Sequence, residues 1–423
     1  MSKMENLSDN SKSISKRLSS TCIRVIKDSV HDYIQIRSPV SISLIDSRPF
    51  QRLRRILQMG TKFYVWPNAN HVRFEHSLGS AHLGGALVTH LQQEQPEPLY
   101  PSLSQAPASN GNTRTGQMMF DYALEDKKIY MSLKDREFVK ALISGDDSRV
   151  PDEKAFLFDI VANKRNGLDV DKLDYIHHDS QRTGMHIDLS IKRIMNSARV
   201  INNEICYAIK DANVIAELGH SRFKLHKMVY NHKSAIAIEY MILDVLLAAE
   251  PFLKIAEDVF EPERFLHLTD DIIFRIGASE DPELAESRAI LRRIFTRELY
   301  KRVAYKIVCW DLRDYYRKHL TPEHIAEAVN GSSEYPILNI QGHDISLSAG
   351  NPATLKASDV IVAFADAHHG MKNRNPMDFV RFYSKDKPNE SRHAQESEYA
   401  TVKPLYFAEV MIDVYPKNPN MKA

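Results

Sequence analysis

The chain has 423 residues, 43% of them hydrophobic and 26% charged, with a formal net charge of +1. That balance fits one large or two ordinary domains with a sizeable core, and it excludes a partner chosen by bulk charge, so an anion site has to be built locally. Three cysteines (Cys22, Cys206, Cys309) stand far apart without CxxC spacing, and no run of about 18 apolar residues occurs. A disulfide framework, a zinc knuckle, secretion and a membrane span are therefore not expected, and an intracellular setting, nucleus or cytoplasm, is.

In chain order, residues 1–20 read as a disordered, Ser-rich basic leader, and the apolar alternation around Ile23–Ile36 begins ordered structure. Ser43–Met59 carries apolar residues at helical spacing, ended by Gly60, and a second helix is predicted from Leu78 to Gln93. Gln92–Gly116 then gathers Pro, Ser, Asn and Gly with almost no apolar period, which predicts a linker over 94–116. Helical patterns resume at Met118–Leu124, Arg136–Ser144, Ala155–Val161, Asp169–Gln181 and Ser190–Arg199. Asn202-Asn203 predicts the turn of a hairpin over Arg199–Lys210. Val214–Glu250 reads as one long helix or two abutting ones, followed by helices at Asp270–Gly277, Glu286–Phe295 and Pro322–Val329. Strand-like stretches at Val360–Phe364, Phe379–Tyr383 and Tyr406–Val414 complete the plan. The fold class expected is mainly α, a helical body over 21–330 with a smaller α+β lobe over 331–423.

Two segments carry residues suited to phosphate chemistry. Arg73, His76 and Gly79-Ser80 lie near one helix start, where a guanidinium and backbone N–H groups can face a phosphate. Asp171, Asp174, Tyr175, His178 and Asp179 fall on one face of a second helix, with Lys172 beside them. Further on, Arg222, His226 and Tyr230 recur every fourth residue within an apolar stretch, a pattern poorly explained as core because each buried polar group needs a partner. His76 and Asp171 come from different helices, as ligands that surround an ion must.

These segments resemble the SAM- and HD-domain deoxynucleoside triphosphate triphosphohydrolase family, which cleaves a dNTP to a deoxynucleoside and triphosphate. The resemblance is carried by Phe50-Gln-Arg-Leu-Arg54, Tyr64-Val-Trp-Pro67, Asn70-His-Val-Arg-Phe-Glu-His-Ser-Leu-Gly79, Asn163-Lys-Arg-Asn-Gly-Leu-Asp-Val-Asp-Lys-Leu-Asp-Tyr175, Leu225-His-Lys-Met-Val-Tyr-Asn-His-Lys233 and Gly370-Met-Lys-Asn-Arg-Asn-Pro-Met-Asp378. It implies an HD-domain helical body and a divalent metal (Mn, Fe, Zn or Mg), with His76 and Asp171 as ligands. Arg73, Asp169, Lys172, Tyr175, Asp179, Arg222 and Tyr230 match its substrate positions, and Asn231 replaces a Gln that contacts the base. The family is switched on by GTP and dNTP bound between subunits. Val25, Asp46, Gln51, Arg54, Arg199, Lys210, Arg297 and Lys301 match those regulatory positions, whereas Lys27 and Ala208 depart from them.

The resemblance also implies two absences: the SAM domain, and the central segment bearing the His-Asp pair and a histidine proposed as general acid. Other His-Asp pairs occur at His31-Asp32, His178-Asp179 and His343-Asp344. His178 shares a helix face with Asp171, but seven residues span about 10.5 Å, too far for both to reach one ion at about 2.0–2.2 Å. The expected function is an HD-family dNTP triphosphohydrolase, catalytically impaired and with no intact catalytic residue. The alternatives are a silent nucleotide-binding subunit in a homo-oligomer or with an active relative and, more weakly, a binder of single-stranded nucleic acid.

Overall fold

The computed structural model describes residues 23–96, 113–187, 189–331, 354–400 and 402–418. The expected leader over 1–20, most of the expected linker and the pair His343-Asp344 lie outside them. A hairpin opens the fold, β1 (Arg24–Asp28) against β2 (Asp32–Ile36). Two short helices follow, α1 (Pro39–Ile45) and α2 (Arg48–Arg52). They replace the single helix expected over Ser43–Met59: Pro49 cannot donate within a helix, and the Ser47 hydroxyl accepts from the Phe50 N–H to start a new one.

The central pair is α3 (Arg73–Glu94) and, after α4 (Thr113–Asp126), α5 (Leu133–Ser144) and α6 (Phe156–Val161), the helix α7 (Val170–Thr183). Helix α3 begins five residues earlier than the expected Leu78, because the Glu75 carboxylate accepts from the Val72 N–H and caps its first turn. Thr113–Gly116, expected to end the linker, already belong to α4. Leu83, Leu87 and Leu91 of α3 and Val170, Leu173 and Ile176 of α7 form the heart of the main core. Asp169 caps α7, accepting from the Lys172 N–H.

Helix α8 (Ile191–Asn196) leads into β3 (Ala198–Ile201) and β4 (Glu204–Ala208). Asn202 and Asn203 both take positive φ, 54° and 59°, as the tight hairpin turn requires. The expected Val214–Glu250 stretch is two helices, α9 (Ala212–Leu225) and α10 (Lys233–Leu253), separated by a π-helical turn over His226–Tyr230. Such turns aim side chains that a regular helix would not.

Helices α11 (Ile255–Asp258) and α12 (Pro262–Phe265) lead to α13 (Ile272–Ala278) and α14 (Ala285–Phe295), which pack a second core with α10. After β5 (Ala304–Cys309), α15 (Arg313–His319) and α16 (Pro322–Asn330) come β6 (Val360–His368), β7 (Arg381–Tyr383), β8 (Arg392–His393) and β9 (Ala408–Pro416). The last sheet has the order β5-β9-β6, and β7 pairs in parallel with β4. Strand β5 lacks a clear alternating pattern and was not expected. Strand pairing thus crosses the boundary expected at residue 330 in two places. No helix among the described residues is long and apolar enough to cross a membrane.

Candidate functional site

Helices α3 and α7 bring His76 and Asp171 together: His76 Nε2 lies 3.0 Å from Asp171 Oδ1. Asp171 is partly open to solvent, whereas His76 is buried. The other ring nitrogen, Nδ1, lies 2.6 Å from Asp174 Oδ2, so the imidazole is held between two carboxylates of one helix. Burial alone would lower its pKa, but the hydrogen bonds to Asp171 and Asp174 outweigh burial and lift it to about 9.

Asp174 is fully buried and is the centre of a histidine cluster. His31 Nε2 lies 2.5 Å from its Oδ1, and His178 Nδ1 lies 3.2 Å from its Oδ2. Burial opposes its ionisation, yet the three imidazoles His178, His31 and His76 hold the carboxyl well below its ordinary range. His178 is raised to about 10, with burial outweighed by Asp174 and Asp28. His31 arrives from the turn between β1 and β2, where Asp28 Oδ1 accepts from the Val30 and His31 N–H groups and fixes the turn. Gly79 of α3 makes room for the cluster, since a Cβ there would sit 2.0 Å from Asp174 Oδ1 and 2.9 Å from His31 Nε2.

The next turn of α7 presents Asp179, whose Oδ1 lies 2.8 Å from His71 Nε2 and whose Oδ2 accepts from the Tyr230 hydroxyl at 2.6 Å. The π turn thereby ties to α7. Asn231 caps that turn, donating from Nδ2 to the His226 carbonyl. Lys172 Nζ donates to Asp169 Oδ2 at 2.7 Å, and burial, outweighing that ammonium, raises the Asp169 pKa. Tyr175, also on α7, is pushed up by burial. Arg222 donates to the His368 carbonyl at 2.5 Å, at the end of β6. His226 and His368, desolvated and beside that guanidinium, fall to about 3 and about 4 and are neutral imidazoles near pH 7. Arg73 is the first residue of α3, one turn before His76.

The expected regulatory residues fall on several surfaces. Arg24 of β1 grips Asp46 through both oxygens, at 2.5 and 2.7 Å, while Val25 beside it is exposed. Gln51 donates to the Ile45 carbonyl and accepts from Arg54 Nε, and the Arg54 guanidinium lies over the Phe74 ring. Asp46, Gln51 and Arg54 thus adjoin one another at the hairpin and α1–α2. Lys27 pairs with Asp32, so that aspartate turns away from the cluster its neighbour His31 joins. Arg199 of β3 faces Glu94, Lys210 follows β4, and Ala208 pairs with Tyr383 of β7. Arg297 takes a positive φ and donates to the Tyr64 carbonyl, and Lys301 is exposed close by in sequence.

His71 and Asp28 do not stand out in the sequence, His31 stands out only within the pair His31-Asp32, and Asp174 only as one residue of a polar helix face. The signal available was Gly79 opposite an Asp-rich helix face, together with Asp28 three residues before His31. His178 has its carboxylate partner in Asp174, one helical turn away.

A helical body that sets His76 of one helix against Asp171 and Asp174 of a second, packed helix fits the HD-domain class of proteins. The chain is 32% identical to the deoxynucleoside triphosphate triphosphohydrolase SAMHD1 homolog of Dictyostelium discoideum, over 98% of this chain and 80% of that protein. It is 32% identical to the deoxynucleoside triphosphate triphosphohydrolase SAMHD1 of Bos taurus, over 95% of this chain and 76% of the relative. For the Homo sapiens protein of that name the identity is 31%, over 95% and 71%. No family model matches the chain. The chain belongs to the SAMHD1 family of HD-domain proteins.

A divalent ion is implied by that family. His76 Nε2 and Asp171 Oδ1, 3.0 Å apart, could be adjacent ligands of one ion. Asp169 is engaged by Lys172, and Asp174 lies on the other side of His76. Residues 95–116, between α3 and the part of α4 beyond its first turn, contain neither His nor Asp. Two ligands do not make the complete set, so the residues do not fit the family's ion at this position.

Proposed function

We propose that the chain binds deoxynucleoside triphosphates on the face formed by Arg73, Lys172, Tyr175, Arg222 and Tyr230, and hydrolyses them far more slowly than the activity its relatives are named for. The observation that carries this reading is the pairing of His76 with Asp171 at 3.0 Å, together with a sequence over 95–116 that contains no further His or Asp. Phosphate binding needs the cations, which are present. Attack by a metal-activated water needs a filled ligand set, and the absence of a general acid alone typically costs about 10²–10⁴ in rate. The substrate is a dNTP by family. Asn231, anchored to the turn that Tyr230 leaves, is the residue beside the base.

Guanine nucleotide is the regulatory ligand in this reading, taken at Asp46, Gln51 and Arg54. The Asp46 carboxylate suits the N1–H and N2–H donors of guanine, and Arg54 suits a phosphate. Arg24 now fills that carboxylate, so guanine has to replace a guanidinium as its donor. Assembly with a second copy or with an active relative is supported by Leu243, Leu247, Phe274 and Phe295, large apolar residues that are exposed on α10, α13 and α14.

The test is thermal unfolding with each dNTP, with and without GTP, alongside triphosphate release. We expect dNTP to raise the melting temperature through linkage, Arg222→Ala to remove that shift, and triphosphate release to stay at background. Robust release that disappears in His76→Ala would replace this reading with that of an active hydrolase. Unchanged GTP affinity in an Asp46→Ala, Arg54→Ala double variant would discard the regulatory assignment.

A further inference from the structure

We propose that His31, Asp174 and His178 form a binding site for a first-row divalent transition ion, set one helical turn along α7 from the Asp171 position that family resemblance implies. The three residues each offer a ligand atom, and these atoms lie within 4.8 Å of one another. Two imidazoles and one carboxylate suit Zn(II), Fe(II) or Co(II) better than Mg(II) or Ca(II), which prefer oxygen.

Four observations support a built site. His178 is fully buried, yet neither of its ring nitrogens makes a hydrogen bond, although carboxylates lie 3.2 and 3.8 Å away. Buried polar groups are rarely left so. Asp174 spans the cluster with both oxygens: Oδ1 is 2.5 Å from His31 Nε2 and Oδ2 is 3.2 Å from His178 Nδ1. A separation near 3 Å is that of adjacent ligands around an ion at about 2.1 Å, so a small rotation of the carboxylate admits one. Asp28 holds the turn that carries His31, fixing a ligand from outside the helix. Finally, α3 has glycine at position 79, where a Cβ would run into Asp174 and His31.

An ion here joins the β1–β2 turn to α7 and neutralises the carboxylate that also holds His76. Its competitor is the proton, which can occupy the same imidazoles and supply positive charge without metal. The inference does not depend on nucleotide binding, and its test contains no nucleotide.

The full chain, stripped with chelator, is titrated with Co(II) and followed by its visible absorption and by equilibrium dialysis. One ion per chain is expected, with His31→Gln and His178→Gln each weakening binding at least tenfold and Asp171→Asn changing it less than threefold. Because substitutions at buried positions can unfold the protein, pulsed EPR of the unmodified chain loaded with Cu(II) or Mn(II) counts coordinated imidazoles directly. Two are expected for this site, against one for His76 with Asp171. Absence of stoichiometric binding, a single imidazole, or loss of the ion in Asp171→Asn with retention in His178→Gln would each overturn the proposal.

Discussion

Replacing Gly79 with alanine tests whether α3 is shaped around Asp174. In most exposed or loosely packed helical positions this change stabilises by about 1 kcal/mol, because alanine loses less backbone freedom on folding. At Gly79 the new methyl would lie 2.0 Å from Asp174 Oδ1, 2.8 Å from its Cγ and 2.9 Å from His31 Nε2. Overpacking of that kind costs about 1–3 kcal/mol. Moving the carboxylate aside also breaks at least one of its charge-assisted contacts, at about 1.5–3 kcal/mol. After the gain in helix propensity, the net expected loss is about 1.5–5 kcal/mol. Gly85 on the same helix is the control, since a Cβ there meets nothing within 4 Å. Gly85→Ala is expected to gain about 1 kcal/mol. Urea unfolding followed by far-UV circular dichroism gives both values by linear extrapolation. If the two variants were equally stable, α3 would not be fitted to the cluster, and the account of Asp174 as its centre would fail.

Tyr230→Phe removes the hydroxyl that donates to buried Asp179 at 2.6 Å and leaves a carboxylate oxygen without that donor. A loss of about 1.5–3 kcal/mol in urea unfolding is expected, and a change below about 0.5 kcal/mol would show that Asp179 does not anchor the π turn. His226 provides a pH test: burial and the neighbouring Arg222 push its folded pKa down to about 3, below the ordinary 6.5. Its contribution is present above pH 6.5 and is lost as pH falls toward 3, because the unfolded chain takes up a proton that the folded one refuses. The slope is about 1.4 kcal/mol per pH unit, or about 3 kcal/mol by pH 4. His226→Gln should flatten the acid limb of stability against pH by that amount, and an unchanged limb would show that the histidine is solvated.

The helical phase of α7 was readable because Asp171, Asp174, Tyr175 and Asp179 repeat at helical spacing, and the partnership of His76 with Asp171 follows from two motifs of one site. What the residues could not reveal was which carboxylate each histidine finds. His178 was judged by its distance from Asp171 along one helix, whereas its partner is fixed by the packing of α3 and by a turn 147 residues earlier that brings in His31. The break between α1 and α2 was legible in Pro49, but apolar spacing across Ser43–Met59 masked it. Strand β5 was missed because its register is set by β9, about a hundred residues further along the chain. The pairing of Arg24 with Asp46 is likewise a contact between a strand and a helix end that periodicity does not encode.

The order β5-β9-β6 places the strand made last between the two made earlier. On a ribosome adding roughly 5–20 residues per second, β5 is complete about 5–20 s before β9. Until β9 arrives, β5 and then β6 have no strand to join them, and the edges it will pair with are open to other chains. The arrival of Val410, Ile412 and Tyr415, all buried in the finished sheet, closes both edges at once. The yield of native protein should therefore depend on synthesis rate and on chaperones that shield strand edges, independently of how stable the finished fold is.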